Sequence, residues 1–77
     1  MSTSISDFQK FVVLTPEAHM GDVIGDICRR NGEVLDAPKI EGGMRAVTAR
    51  LLLSEVKNFQ SALSNLTKGT ASMQLLD

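Results

Sequence analysis

Arg29 and Arg30 stand side by side at the end of the stretch TPEAHMGDVIGDICRRNG, which also holds the only histidine and the only cysteine of the chain. Adjacent guanidinium groups are planar, permanently charged forks suited to bidentate contact with phosphate or with an acidic protein surface. Their plainer role is favourable charge at a helix C-terminus. Asp22, Asp26 and Arg30 fall four residues apart, so one helical flank carries two carboxylates and a guanidinium. Paired carboxylates suit acid–base work, but on an exposed helix they read as weak ion pairs. His19 has Glu17 and Asp22 near it in sequence and lacks a second strong ligand, so it reads as a surface residue. Cys28 falls on the apolar side of the stretch with no basic or histidine partner, and is expected to be a buried, inert thiol. Gly21-x-x-x-Gly25 lacks the GxxxxGK[ST] spacing of a phosphate loop. Two glycines within a helix instead predict close approach of another backbone.

The elements that must position these residues follow from periodicity. Phe8 to Leu14 reads as a strand, with Gln9, Phe11 and Val13 facing inward and branched Val12 and Val13 favouring extended geometry. Thr15 is a suitable N-cap and Pro16 a suitable first residue for a helix that runs to about Arg30. Its apolar stripe is Met20, Ile24, Ile27 and Cys28, widened by Val23, and Asn31-Gly32 supplies a left-handed exit. Glu33 to Lys39 alternates loosely, and Pro38 argues for a sheet edge. Glu41-Gly42-Gly43 signals a turn into the longest strand, Met44 to Leu53, which should bury Arg45, Val47, Ala49, Leu51 and Leu53. These two strands form a hairpin. Ser54 is placed to cap a second helix whose Val56, Phe59, Leu63 and Leu66 recur at three and four residues. Lys68 and Gly69 end it, and Thr70 to Leu76 forms a last strand with Ala71, Met73 and Leu75 inward.

The order βαββαβ predicts an α+β fold, the ferredoxin-like split βαβ sandwich: a four-stranded antiparallel sheet with two helices on one face. Two helices cover only one face of such a sheet. Lys10, Val12, Arg50, Leu52, Ser72 and Gln74 are assigned to the other, either wet or a contact surface.

With 77 residues the chain is one domain, taken as residues 8–77 behind a disordered polar tail over 1–7. The formal net charge of −1 supplies no general attraction to nucleic acid, so any RNA contact must be local. Tyr and Trp are absent, which argues against reading single-stranded bases by stacking. A single cysteine excludes an internal disulfide and fits a reducing compartment. There is neither a run of about 20 apolar residues nor a secretory signal pattern, so no membrane contact is expected.

The run PEAHMGDVIGDICRRNGEVL resembles the opening of the C-terminal domain, domain V, of translation elongation factor G and its relatives. Pro16, Glu17, the segment Met20 to Asp26, Arg29, Arg30 and Gly32 carry the resemblance. A later segment, SNLTKGTAS from Ser64 to Ser72, resembles the family's exit from its second helix, with Gly69 at the turn. The likeness spans about residues 11 to 75. It departs at Asn31, where many members are basic, at the second-helix start Ser54 to Phe59, and in the missing proline before the first strand. These departures point to a divergent paralogue or a C-terminal fragment.

The resemblance implies a noncatalytic module of a ribosomal GTPase that helps the factor dock on the ribosome and takes part in translocation-type movement. Implied partners are large-subunit rRNA and proteins together with neighbouring domains of the parent, in the cytoplasm. No cofactor is implied for this domain; GTP and magnesium belong to a separate N-terminal GTPase domain. Arg29 and Arg30 are the implied ribosome contacts, with the loops after the first and third strands nearby. Pro16, Gly21, Asp22, Gly25, Asp26, Gly32 and Gly69 are the structural motif. The rival expectation is a small regulatory domain that binds a metabolite or protein partner, or forms a homodimer through an exposed sheet carrying Val12 and Leu52. A small hydrolase would need a constellation that these residues do not supply.

Overall fold

Alternation decides the first strand, β1 (Phe8–Pro16): Phe11, Val13 and Thr15 are buried on one side, while Phe8, Lys10 and Leu14 are exposed on the other. The structure, a computed structural model, describes residues 8–76, so the expected tail over 1–7 lies outside the described residues. After β1 come α1 (Glu17–Arg29), β2 (Glu33–Asp36), β3 (Lys39–Ile40), a 3-10 turn over Glu41–Gly43, β4 (Met44–Leu52), α2 (Leu53–Leu66) and β5 (Ser72–Leu76). All pairings are antiparallel, in the order β2–β4–β1–β5, with β3 continuing the place of β2 beside β4. This is a four-stranded antiparallel layer under two helices, the expected ferredoxin-like α+β fold.

The core lies between the sheet and the helices. Phe11 and Val13 of β1, Val47, Ala49 and Leu51 of β4, Val23 and Ile27 of α1, and Val56, Phe59 and Leu63 of α2 form one buried cluster. Phe11 and Phe59 meet across the layers with ring centroids 5.4 Å apart. Truncating either ring should cost about 3–5 kcal/mol. The amphipathic period read for the second helix and the alternation read for β1 and β4 describe this core correctly.

Several local expectations change. Pairing with β4 continues to Pro16, opposite Met44, so Thr15 is a buried strand residue rather than a cap. Its hydroxyl donates to the Pro16 carbonyl at 3.2 Å, and Pro16 takes the N-cap place. Likewise α2 begins at Leu53, one residue before the expected cap Ser54, with no side-chain cap. Both helices start directly from their strands, so the expected loops after the first and third strands do not exist. Leu53, expected inward, is exposed at the start of α2. The expected strand Glu33 to Lys39 is split into β2 and β3. The register shifts between Val34 and Asp36, and Arg45 Nη1 donates to the Ala37 carbonyl at 2.7 Å where the strand breaks.

Both helix exits use the same device. Asn31 is left-handed at φ 64°, with Asn31 N–H donating to Cys28 O and Gly32 N–H to Ile27 O at 2.8 Å. Lys68 at φ 54° does the same for α2, with Gly69 N–H on Ser64 O at 2.9 Å. These bonds satisfy carbonyls that the last turn would otherwise leave open. The glycine that permits close approach is Gly32, not Gly21 or Gly25. A Cβ on Gly32 would lie 2.5 Å from Leu51 Cδ2 and 2.8 Å from both Arg50 O and Ile27 Cγ2. At Gly21 and Gly25 a Cβ would meet nothing within 4 Å.

Candidate functional site

The inward stripe of α1 contains a charge. Val23, Asp26 and Ile27 are buried at one helical spacing, with Arg30 next along the same line and partly buried. Cys28 belongs to the solvent side, contrary to its expected burial. The helix is therefore turned so that Asp26, not Cys28, lies beside Ile27. An ionised carboxylate in that position requires partners, and it has two. Asp26 Oδ1 accepts from Arg29 Nη2 at 2.8 Å, and Asp26 Oδ2 from Arg30 Nε at 2.7 Å. Arg30 Nη1 continues across to Glu55 Oε1 of α2 at 3.0 Å.

The adjacent arginines consequently have different surroundings. The Arg30 side chain is 19% exposed and spans from α1 to α2, whereas Arg29 is 78% exposed and makes one bond. The hydrogen bond to Asp26 is the main cause holding the Arg30 pKa above its ordinary value, helped by Glu55 and opposed by burial. Arg30 is thus a strut between helices, and Arg29 is the guanidinium with donors turned to solvent. Arg29, Asp22, Gly25, Asp26 and Leu66 line a groove of about 150 Å³ between α1 and the end of α2. Gly21 and Gly25 open onto space along the same helix. Asp22, expected to join the ladder, is exposed and outside the ion-pair network. Glu55 is a partner that reading along the first helix does not supply. Its signal lies in the topology, since a helix leaving β1 and a helix arriving from β4 meet at one end of a βαββαβ sandwich.

The opposite sheet face is uncovered by the chain. Register places Phe8, Lys10, Val12 and Leu14 beside Leu52, Arg50, Thr48 and Ala46, with Leu76, Gln74 and Ser72 on the other side. All six residues assigned to that face from patterning lie on it. Arg50 stacks on the Phe8 ring, 5.3 Å from its centroid, and pairs with Glu33 at 2.6 Å. No helix among the described residues is long and apolar enough to cross a membrane.

An antiparallel sheet in this order, with both helices on one side and an arginine-tied helix pair above it, defines an α+β domain of the ferredoxin-like class. Within that class, residues 8–77 match the family described as "Elongation factor G C-terminus", and the chain belongs to it. It is 40% identical over 68 residues to elongation factor G of two Chlamydia trachomatis strains, of serovars D and A. Those matches cover 88% of this chain and 10% of each relative, so the chain spans about a tenth of their length. A crystal structure of a protein from Thermus thermophilus is similar with a TM-score of 0.79 and 33% identity, over 90% of this chain and 10% of that one.

Proposed function

We propose that this chain is a noncatalytic ribosome-association module of an elongation-factor-G-like translational GTPase, working in the cytoplasm as part of a longer protein. Residues 8–77 act as one domain, and docking onto large-subunit rRNA and proteins accompanies translocation-type movement. The observation that carries the assignment of a contact residue is the unequal treatment of the two arginines. Arg29 presents its free donors beside an open groove, in the form suited to a phosphate oxygen. Arg30 is committed to Asp26 and Glu55, and holds the helix end that carries Arg29. The uncovered sheet face, with Phe8, Val12 and Leu52, fits a contact with neighbouring domains of the same parent.

Ribosome pelleting of the protein that carries this domain tests the assignment. Arg29→Ala should weaken association and lower the slope of log affinity against log salt by about one unit. Unchanged association and an unchanged salt slope would reject Arg29 as the contact. Loss caused by Arg30→Ala at a temperature where that variant stays folded, with none from Arg29→Ala, would reverse the division of roles.

A further inference from the structure

The two edges of the sheet are built differently. On one side, β2 and β3 are short, separated by a register shift and Pro38, and carry Glu33, Asp36 and Lys39. Those are the devices that keep an edge from pairing with another strand. The outer edge of β5 has none of them. Ser72-Met73-Gln74-Leu75-Leu76 is unbroken, uncharged and without proline. Leu75 lies opposite Phe11 on the helix side of the sheet, where it was expected to be inward, yet it is 52% exposed. The helices do not reach over this strand.

We propose that the free edge of β5 pairs antiparallel with β5 of a second copy of this chain, joining the two sheets into one. The hydrogen-bond phase sets the register. Gln9 Nε2 donates to the Leu76 carbonyl at 2.7 Å and to the Lys10 carbonyl at 2.8 Å, and Lys10 is the partner of Leu76 in the ladder. The Leu76 carbonyl is therefore turned toward β1. Alternation along a strand then turns the N–H and C=O groups of Met73 and Leu75 outward. A two-fold axis at Gln74 brings Met73 of each copy opposite Leu75 of the other, so these outward groups bond one another in pairs. The same register covers Leu75 with a methionine on the helix side. On the open face it sets the two Gln74 amides together, where each can donate to and accept from the other. No like charges meet in this arrangement. A contact five residues long is smaller than the roughly 1,200 Å² of a stable interface, so the pairing is concentration-dependent. This interface goes beyond ribosome association and does not use Arg29, so either reading can fail alone.

Sedimentation velocity of the 77-residue chain from about 10 µM to about 1 mM should show a monomer passing to a dimer. Gln74→Lys and Gln74→Glu place like charges on the two-fold axis at an exposed position, and each should remain monomeric with an unchanged circular dichroism spectrum. Mixing the two variants should restore the dimer. Amide exchange at Met73 and Leu75 should slow at high protein concentration, while that of Gln74, already bonded to β1, should not. A wild-type chain monomeric throughout the range would overturn the proposal. So would a dimer untouched by Gln74→Lys, or one lost with Leu14→Lys on the open face while Met73 and Leu75 exchange at their monomer rates.

Discussion

Replacing Arg30 with alanine removes the strut between the helices and leaves the Asp26 carboxylate, only 3% exposed, with Arg29 as its remaining partner. Orphaning one member of a buried ion pair costs about 3–5 kcal/mol. The figure is smaller here, because Arg29 stays within 2.8 Å of Asp26 and Glu55, at 34% exposure, turns to water. A loss of about 2–3 kcal/mol is expected, a large share of the roughly 4–10 kcal/mol available to a domain of this size. At about 4–8 °C per kcal/mol, the Tm should fall by about 8–24 °C. Arg29→Ala removes an exposed partner and should cost less than about 1 kcal/mol. Thermal and urea unfolding followed by circular dichroism measure both variants. Equal losses, or a larger loss from Arg29→Ala, would refute the division between strut and contact.

Three further outcomes follow from the same geometry. The Arg30 pKa is raised in the folded state, so its stabilising effect is fully present below the unfolded value and is lost only as pH rises through the folded one. The stability difference between wild type and Arg30→Ala should therefore be flat from about pH 6 to about pH 10 in urea titrations, and a steady decline over that range would contradict it. Gly32→Ala forces a Cβ against the Arg50 carbonyl and should destabilise by about 2–3 kcal/mol. Gly25→Ala, in open space on a helix, should stabilise by about 0.5–1 kcal/mol, and urea midpoints moving in the same direction for both would overturn the reading. Cys28 is exposed, so a maleimide should label it fully without denaturant and leave the melting curve unchanged; protection until unfolding would show the helix turned the other way.

The parts of the fold that could be read from residue types are those where one period dominates. Phe11 and Val13, then Val47, Ala49 and Leu51, alternate without interruption, and Val56, Phe59 and Leu63 keep a helical step, so sheet, second helix and core follow directly. The first helix is harder to read, because two stripes compete on it. Counting only apolar side chains turns the helix toward Cys28, whereas the observed face admits Asp26, whose charge is matched by two guanidiniums. That match depends on Glu55 from a distant part of the chain, and periodicity within one helix does not contain it. The role of Gly32 is hidden for a related reason. Its place after Asn31 already accounts for a helix exit, while the crowding that demands glycine comes from Leu51 and Arg50 across the sheet.

The strand order has a mechanical consequence. Because β1 lies beside β5, with Lys10 opposite Leu76, any segments joined before and after the domain leave through neighbouring posts, and the whole body swings from a single pivot. Arg29 sits near that pivot, since Arg30 reaches Glu55 just beyond Leu52, which faces Phe8. The turn over Glu41–Gly43 lies at the opposite end of the lever. A small rotation about a fixed Arg29 becomes a wide sweep at that tip.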